Sequence, residues 1–573
     1  MPARWTQRLR SPWLWDALLL LGLAWWGWRV FAPLEQVVNI ELFDETGDLW
    51  AALRLPWWAY PPEYGPLYRL WYRLLALAQP DPLALYYASY RWVGVLAPLA
   101  VYWALRRHRV ARGPAFWSAA LLLASRGHSV VWPRISIFWA LVFALAWGAV
   151  GPRLRQAPAW LALVYGGWVL LWSAFARPEM FLPGATLAAL GLFLGAVRRF
   201  PRREAAAWAL LATVALPLLL WGVPHRQGRL LLAFRQHFVV VRSEMGDPIE
   251  RPWTSTSAID RYFTDSTSLT AMWRERPDLI AAHLRFNLRQ WPEHLKKVVA
   301  LPGNKDLNAL ATTFKARWGV LLAIGATPGL LTWAAAGVAG LRRRQALRWR
   351  PGPTVAALLP LLAAAAVVGA SSVLIYPHPH YLYMLTYTLL LGWAVVFGRP
   401  QALWRAWGMR AARALDAAWL LGLLLLAAWL WRGHDIATWL PRLKDPERRV
   451  ATVARFVRQL NLPADRTLYT LGTLGQWEVY FGPQFVSADD AFRQGEADLA
   501  AFLATRPVDV LLIASPDDLP CTAHPTDPAT CRALLQQPER WGYRAYPLTF
   551  REGETLTLLV RQALLPTDAG GAP

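Results

Sequence analysis

Charge is scarce in this chain. Only 17% of its 573 residues are Asp, Glu, Lys or Arg, where a water-soluble protein carries about a quarter. Acids are the scarcer sign, 37 against 60 Lys and Arg, leaving a formal charge of +23. Cysteine is nearly absent: Cys521 and Cys531 are the two in the sequence. They cannot build a disulfide framework, although they can pair with each other if their region is exported. There is no Gly-rich phosphate loop, which argues against a nucleotide-bound ligand. No internal repeat is found, and the first apolar run has no small-residue cleavage site of the signal-peptide kind.

Apolar residues fill the place of the missing charge, at 55% of the chain, with 36 Trp. Trp suits the headgroup level of a bilayer, and Trp13, Trp15, Trp25, Trp26, Trp28, Trp221 and Trp431 stand at the ends of apolar runs. A membrane-crossing helix needs about 20 apolar residues. The runs predict spans at 13–32, 83–105, 114–131, 135–150, 158–176, 181–197, 205–222, 317–340, 353–375, 381–397 and 414–431. The third and fourth are short and can also be read as one broken helix.

The positive excess sits in six short clusters between these runs, from Arg4–Arg10 and Arg106–Arg112 to Arg342–Arg350 and Arg399–Arg413, with Glu204 as their one acid. Nucleic-acid binding would gather such charge on one surface. Here it falls on alternate loops, as cytoplasmic loops of a membrane protein do. The pattern predicts a polytopic α-helical membrane protein with about 11 transmembrane helices over residues 1–431, its N-terminus cytoplasmic, in the plasma (inner) membrane. The outer side receives loop 33–82, loop 223–316 and a small C-terminal α/β domain, 432–573, with a disordered tail. In that domain 446–461 reads as an amphipathic helix, and RTLYTLG, VDVLLIAS and LTLLVRQ read as strands. Within the first loop, 65–78 is an amphipathic helix suited to the membrane surface, with Leu67, Leu70, Trp71, Leu74 and Leu75 on one face and Arg69 and Arg73 on another.

Residues able to do chemistry collect on the outer side. Asp44 and Glu45, in LFDETGDLW, are carboxylates near the membrane surface. They can act as a general base on an acceptor hydroxyl, or be solvated loop acids. Arg91 lies inside the second span, where an ionisable group is either functional or snorkels to the headgroups. Arg126, His128 and Arg134 cluster in SRGHSVVWPRIS, Arg177 and Glu179 in FARPEMF, and Tyr376, His378, His380 and Tyr381 in IYPHPHYLY. Arginine in an outer turn defies the charge bias and calls for a partner. That partner is a phosphate held through two hydrogen bonds, or Glu179 in an internal ion pair. The histidines are phosphate contacts or neutral turn residues. With Asp44 and Glu45 they have the ligand types for a divalent metal, but no metal set or cofactor is assigned.

In order along the chain, these stretches resemble the polytopic glycosyltransferases called GT-C, in the branch of protein O-mannosyltransferases and the lipid A aminoarabinose transferase. LFDETGDLWAAL resembles the family's acidic pair after the first span, and PPEYGPLYRLWYRLLAL its Pro-Pro segment leading into a surface helix. YRWVGVLAPLAVYWALRRHR resembles its second span, opened by Arg and closed by basic residues, and WPRISIFWALVF its fourth. The resemblance covers about residues 13–200, and the remainder by layout. It implies an enzyme that moves a sugar from a polyprenyl-phosphate donor to a hydroxyl of a lipid, glycan or protein acceptor, on the extracytoplasmic face, with inversion. Asp44 matches the family's catalytic base, with Glu45 beside it. Arg134 and Arg177 match residues near the donor phosphate, joined there by His128, His378, His380 and Arg91. Glu63, Tyr64, Glu179 and Tyr381 are expected near acceptor or sugar. The chain departs from the family in having His380 where Arg is common, and Ile135-Ser136 after Arg134. Two other readings stay open: a transporter or flippase of lipid-linked sugars, which should show repeats, and a non-catalytic relative in envelope assembly.

Overall fold

A computed structural model describes residues 12–42, 44–62, 65–125, 128, 134–154, 157–198, 201–224, 227–249, 256–299, 353–397, 449–472, 476–494, 499–513, 528–550 and 555–565. The chain divides into two compact units. One comprises residues 1–32, 58–68 and 90–440; the other comprises 33–57, 69–89 and 441–573. Residues 33–57 and 69–82 of the first outer loop thus share the second unit with 441–573, while 58–68 belong to the first.

The first unit is helical. Its long helices are α1 (Pro12–Phe31), α4 (Pro82–Arg107, from Tyr90 onward), α5 (Arg112–Ala124), α6 (Ile135–Leu154), α7 (Ala159–Ala174), α8 (Phe181–Arg198) and α9 (Pro201–Trp221). They are followed by α10 (Gln227–Glu244), α11 (Leu269–Glu275), α12 (Pro277–Val299), α13 (Pro353–Leu374) and α14 (Pro379–Phe397). Four helices among the described residues are long and apolar enough to cross a membrane: Trp13–Gln36, Ile135–Leu154, Pro178–Val197 and Thr354–Leu374. The sequence reading of about eleven is met to that extent. Helices Ala159–Ala174 and Ala207–Trp221 are apolar but shorter. Helix α4 has the length, but Tyr86, Tyr87, Tyr90, Arg91 and Trp92 make it less apolar. The expected spans 317–340 and 414–431 lie outside the described residues.

Helix α6 is apolar all round and mostly buried, as a central helix must be. Helices α7 and α8 pack most closely, and α13 packs on α14. A small-residue seam permits the first pairing. A Cβ on Gly167 would lie 2.6 Å from the Gly184 carbonyl oxygen and 2.6 Å from the Ala188 nitrogen. Only glycine lets two backbones approach this far.

Helices α10, α11 and α12 form a smaller module with its own core of Phe234, Phe238, Val239, Ile259, Phe263, Met272 and Ile280. Helix α11 is capped by Ser268, whose side chain accepts from the Ala271 N–H at 3.0 Å. Helix α12 packs on α13 and α14.

The second unit carries α2 (Asp44–Arg54), most of α3 (Pro66–Ala76) and a five-stranded mixed sheet. Strands β1 (Leu468–Leu471), β2 (Phe485–Ser487) and β3 (Val510–Ile513) run parallel. Strands β4 (Tyr543–Thr549) and β5 (Thr555–Arg561) complete the order β2-β1-β3-β5-β4 with antiparallel pairings. The short strand β3 is buried at every position, as a central strand between covered faces should be. Its core includes Leu471, Phe492, Phe502, Leu511, Leu534 and Leu559. The expected amphipathic helix is α15 (Arg449–Gln459), and the three expected strands are β1, β3 and β5. Strand β2 has only three residues, and β4 contains Pro547, so neither gave a strand signal. Cys531 is disulfide-bonded. The one other cysteine of the sequence, Cys521, lies outside the described residues.

Candidate functional site

Two groups of the expected residues come together, one in each unit. In the second unit Asp44 and Glu45 form the first turn of α2, where the positive end of the helix dipole favours carboxylates. Being adjacent on a helix, they point in different directions. Asp44 is exposed, whereas Glu45 is fully buried and accepts a hydrogen bond from the Tyr72 hydroxyl at 3.1 Å. One turn on, Asp48 is buried and accepts from the Arg69 Nε at 2.9 Å. Arg73 donates to the carbonyls of Ala52 at 3.0 Å and Leu55 at 3.3 Å, capping the other end of α2. Arg69 and Arg73 therefore grip α2. The face that the two arginines share is thus turned to the acid and carbonyls of α2. Leu74 and Leu77 of the same region remain exposed.

In the first unit the second group is a continuous run of side chains. Arg177, between α7 and α8, is buried and ion-paired to Glu179, with Nη2 to Oε1 at 2.8 Å and Nε to Oε1 at 2.9 Å. Its guanidinium lies 5.3 Å from the centre of the Tyr381 ring. Burial opposes the Arg177 charge, but Glu179 and Tyr381 outweigh it and hold the guanidinium pKa above its usual value. Tyr381 adjoins His380 with ring centres 4.3 Å apart, and His380 stacks on His378 at 5.1 Å. His378 in turn meets His237 of α10 at 4.8 Å and Tyr376 at 5.0 Å. His294 of α12 packs edge-on to Tyr376, whose hydroxyl donates to Glu244 Oε1 at 3.0 Å.

The ion pair with Glu179 is thus present, and His378 changes character. Burial, then repulsion from His237 and His294, pushes its pKa down to about 3. His237 is pushed down to about 4, again chiefly by burial. Both are neutral near pH 7. His378 can donate or accept a hydrogen bond there as a neutral turn residue, one of the two readings open from the sequence.

The other expected residues lie apart from these two groups in the described contacts. Arg91 donates to the carbonyls of Phe31 at 3.4 Å and Ala32 at 3.5 Å and lies 5.2 Å over Trp28, capping the end of α1. His128 is fully buried, with its ring nitrogens on the Gly94 carbonyl at 2.6 Å and the Tyr383 hydroxyl at 3.0 Å. Arg134 opens α6, buried, with its guanidinium 3.4 Å over the Tyr90 ring and hydrogen-bonded to the Tyr90 hydroxyl. Glu63 and Tyr64 lie outside the described residues. Among the described residues no group of three or more His, Cys, Asp or Glu is arranged to hold a metal ion.

Sequence reasoning missed Tyr72, Tyr480, His237 and Glu244. The hydroxyl of Tyr480, in the short helix α16 (Glu478–Phe481), hydrogen-bonds Thr46 Oγ1 at 2.8 Å, 434 positions away in sequence. No local pattern reports such a pairing. The Asp48–Arg69 pair had a signal, since an acid in the loop faced a basic stripe on the next helix.

No protein-family profile matches the chain, and no curated protein matches it. Among solved structures it is similar to the apo form of the oligosaccharyltransferase of Archaeoglobus fulgidus, at a TM-score of 0.40 and 11% identity. The similarity covers 97% of this chain and 75% of that one. That likeness is distant, and the roles assigned below stand on the residues themselves.

Proposed function

We propose that this protein is a membrane glycosyltransferase that moves a sugar from a polyprenyl-phosphate donor to an acceptor hydroxyl on the extracytoplasmic face, with inversion. The observation that carries the reading is the first turn of α2, which presents one exposed and one buried carboxylate side by side. Asp44 is the general base. It takes the proton of the acceptor hydroxyl as that oxygen attacks the anomeric carbon. The bond from that carbon to the phosphate oxygen breaks, and the electron pair leaves with the phosphate. Arg134 and Arg177 are the cations that the sequence resemblance offers for the developing charge. Glu45 is held off the reaction by burial and by Tyr72. The disulfide at Cys531 supports an oxidising compartment for the C-terminal domain, in keeping with the outward side inferred from the arginine clusters.

Transfer by Asp44→Asn tests the assignment. The loss expected on removing a general base is about 100-fold or more, with the protein still inserted and folded. Full transfer by this variant overturns Asp44 as base. Movement of a lipid-linked sugar across vesicles without any transfer overturns the transferase reading altogether.

A further inference from the structure

The second unit joins α2 to the C-terminal domain along one edge. Thr46 follows Glu45, and both are fully buried. The Thr46 hydroxyl donates to the Glu41 carbonyl at 2.9 Å, which uses its only proton. The 2.8 Å contact with Tyr480 must then have Tyr480 as donor and Thr46 Oγ1 as acceptor. The Glu41 N–H in turn donates to the Tyr86 hydroxyl at 3.1 Å. The hydrogen bonds thus run from Tyr480 through Thr46 to Glu41 and on to Tyr86, across the turn that leads into α2. Tyr480 is fully buried, and burial raises the pKa of its phenol, with Glu45, Tyr87 and Glu478 opposing its ionisation as well. The donor proton is therefore kept.

Two further contacts follow the same edge. Gly47 faces Gln476, whose side-chain oxygen would lie 3.4 Å from a Cβ at that position. At the far end Arg54 Nη2 donates to the Phe485 carbonyl at 3.4 Å. The stretch Gln476–Phe485 of the C-terminal domain therefore runs beside α2 from its first turn to its last.

We infer that Tyr480 is a positioning residue through which the C-terminal domain sets the first turn of α2, keeping Glu45 buried and Asp44 exposed. Its consequence for catalysis rests on the transferase reading above; the positioning itself does not. Without the Tyr480 hydroxyl, Thr46 loses its hydrogen bond to the C-terminal domain, and the first turn is held against rotation mainly by Tyr72 on Glu45 and by the Thr46–Glu41 bond. The two carboxylates would then exchange environments in part of the population.

Three readouts on the full chain in lipid nanodiscs test this, with Tyr480→Phe and Thr46→Val breaking the bond from opposite ends. Amide hydrogen exchange over residues 44–54 should quicken about tenfold, as expected for the loss of one buried hydrogen bond. Carbodiimide should label Asp44 alone in the wild type, and both Asp44 and Glu45 in each variant. With a short-chain prenyl-phosphate mannose as probe donor, kcat should fall about tenfold in Tyr480→Phe with KM unchanged, and the double variant should match Thr46→Val, which already lacks the bond to Tyr480 and the one to Glu41. Tyr469→Phe, on the exposed face of β1, controls for loss of a tyrosine hydroxyl in the domain. Thr46→Ser, which keeps a hydroxyl, should restore slow exchange and the wild-type labelling. Unchanged exchange and a still-protected Glu45 in both variants overturn the proposal, as do losses that add in the double variant. If the wild type transfers no sugar while exchange and labelling respond as stated, the positioning role holds and the transferase reading fails.

Discussion

At the scale of the residue, a shift of one position along a helix separates two carboxylates by about 100°. That rotation gives Asp44 to solvent and Glu45 to Tyr72. The sequence pairs the two acids but carries no phase for the helix, so it could not tell which was exposed. Arg177 poses the opposite case, because its partner Glu179 was in view two residues away and the structure makes that bond. A paired guanidinium can still serve a phosphate through its remaining N–H groups. Removing Arg177 alone confounds that role with the effect of leaving Glu179 uncompensated. The informative variant is therefore Arg177→Ala combined with Glu179→Ala. Thermal unfolding should show the double variant at least as stable as Arg177→Ala. Donor-lipid affinity should remain about tenfold or more below wild type, the usual scale for a charge-assisted phosphate contact. Wild-type affinity in the double variant would reduce Arg177 to a structural ion pair.

At the scale of the element, the helix pair α7–α8 and the histidine turn each give a prediction. Gly167→Leu drives a side chain against the backbone of α8, which cannot yield as a flexible side-chain tip can. The cost should be about 3 kcal/mol or more, beyond ordinary overpacking, read as a lower unfolding temperature in detergent. The histidines make the contact of α10 and α12 with the α13–α14 turn dependent on pH. His237, His283 and His378 have pKa values pushed down to about 4, 4 and 3. An unfolded histidine titrates near 6.5. In the window between, the unfolded chain binds more protons than the folded one, so stability rises with pH. The contribution is fully present above about pH 6.5 and is lost as pH falls toward 4. Glu244, bonded to Tyr376, is the nearby acid able to offset part of the incoming charge. Hydrogen exchange in α10 and α12 should accelerate between pH 6.5 and 4.5, and His378→Phe should flatten that response. An unchanged slope in the variant would assign the pH dependence to other groups.

Legibility in the sequence also sorts by element. Apolar length and arginine spacing made the long helices readable; short apolar, β-branched runs marked β1, β3 and β5, and an amphipathic pattern marked α15. What stayed hidden depended on distant neighbours. Helix α3 is legible as an amphipathic helix, but what its arginines face depends on Asp48 and the end of α2, which no pattern within the helix identifies. The His378 environment needed His237 and His294, which lie 141 and 84 positions earlier in the chain. Burial then decided between the charged and neutral readings of that histidine, in favour of the neutral one.

At the scale of the whole molecule, the division into units cuts across the order of the chain. The expected boundary set residues 1–431 apart from 432–573, while the compact unit that holds the sheet also holds 33–57 and 69–89. The Thr46–Tyr480 bond spans 434 positions of sequence. Ribosomes add about 5–20 residues per second, so roughly 20–90 s separate the synthesis of its two ends. During that interval the early loop waits without the partner that fixes its acidic turn. A nascent or truncated chain would hold both carboxylates yet lack their final arrangement. Synthesis of the C-terminal domain thus acts as a timer, withholding that arrangement from any copy in which the domain has not yet been made and folded.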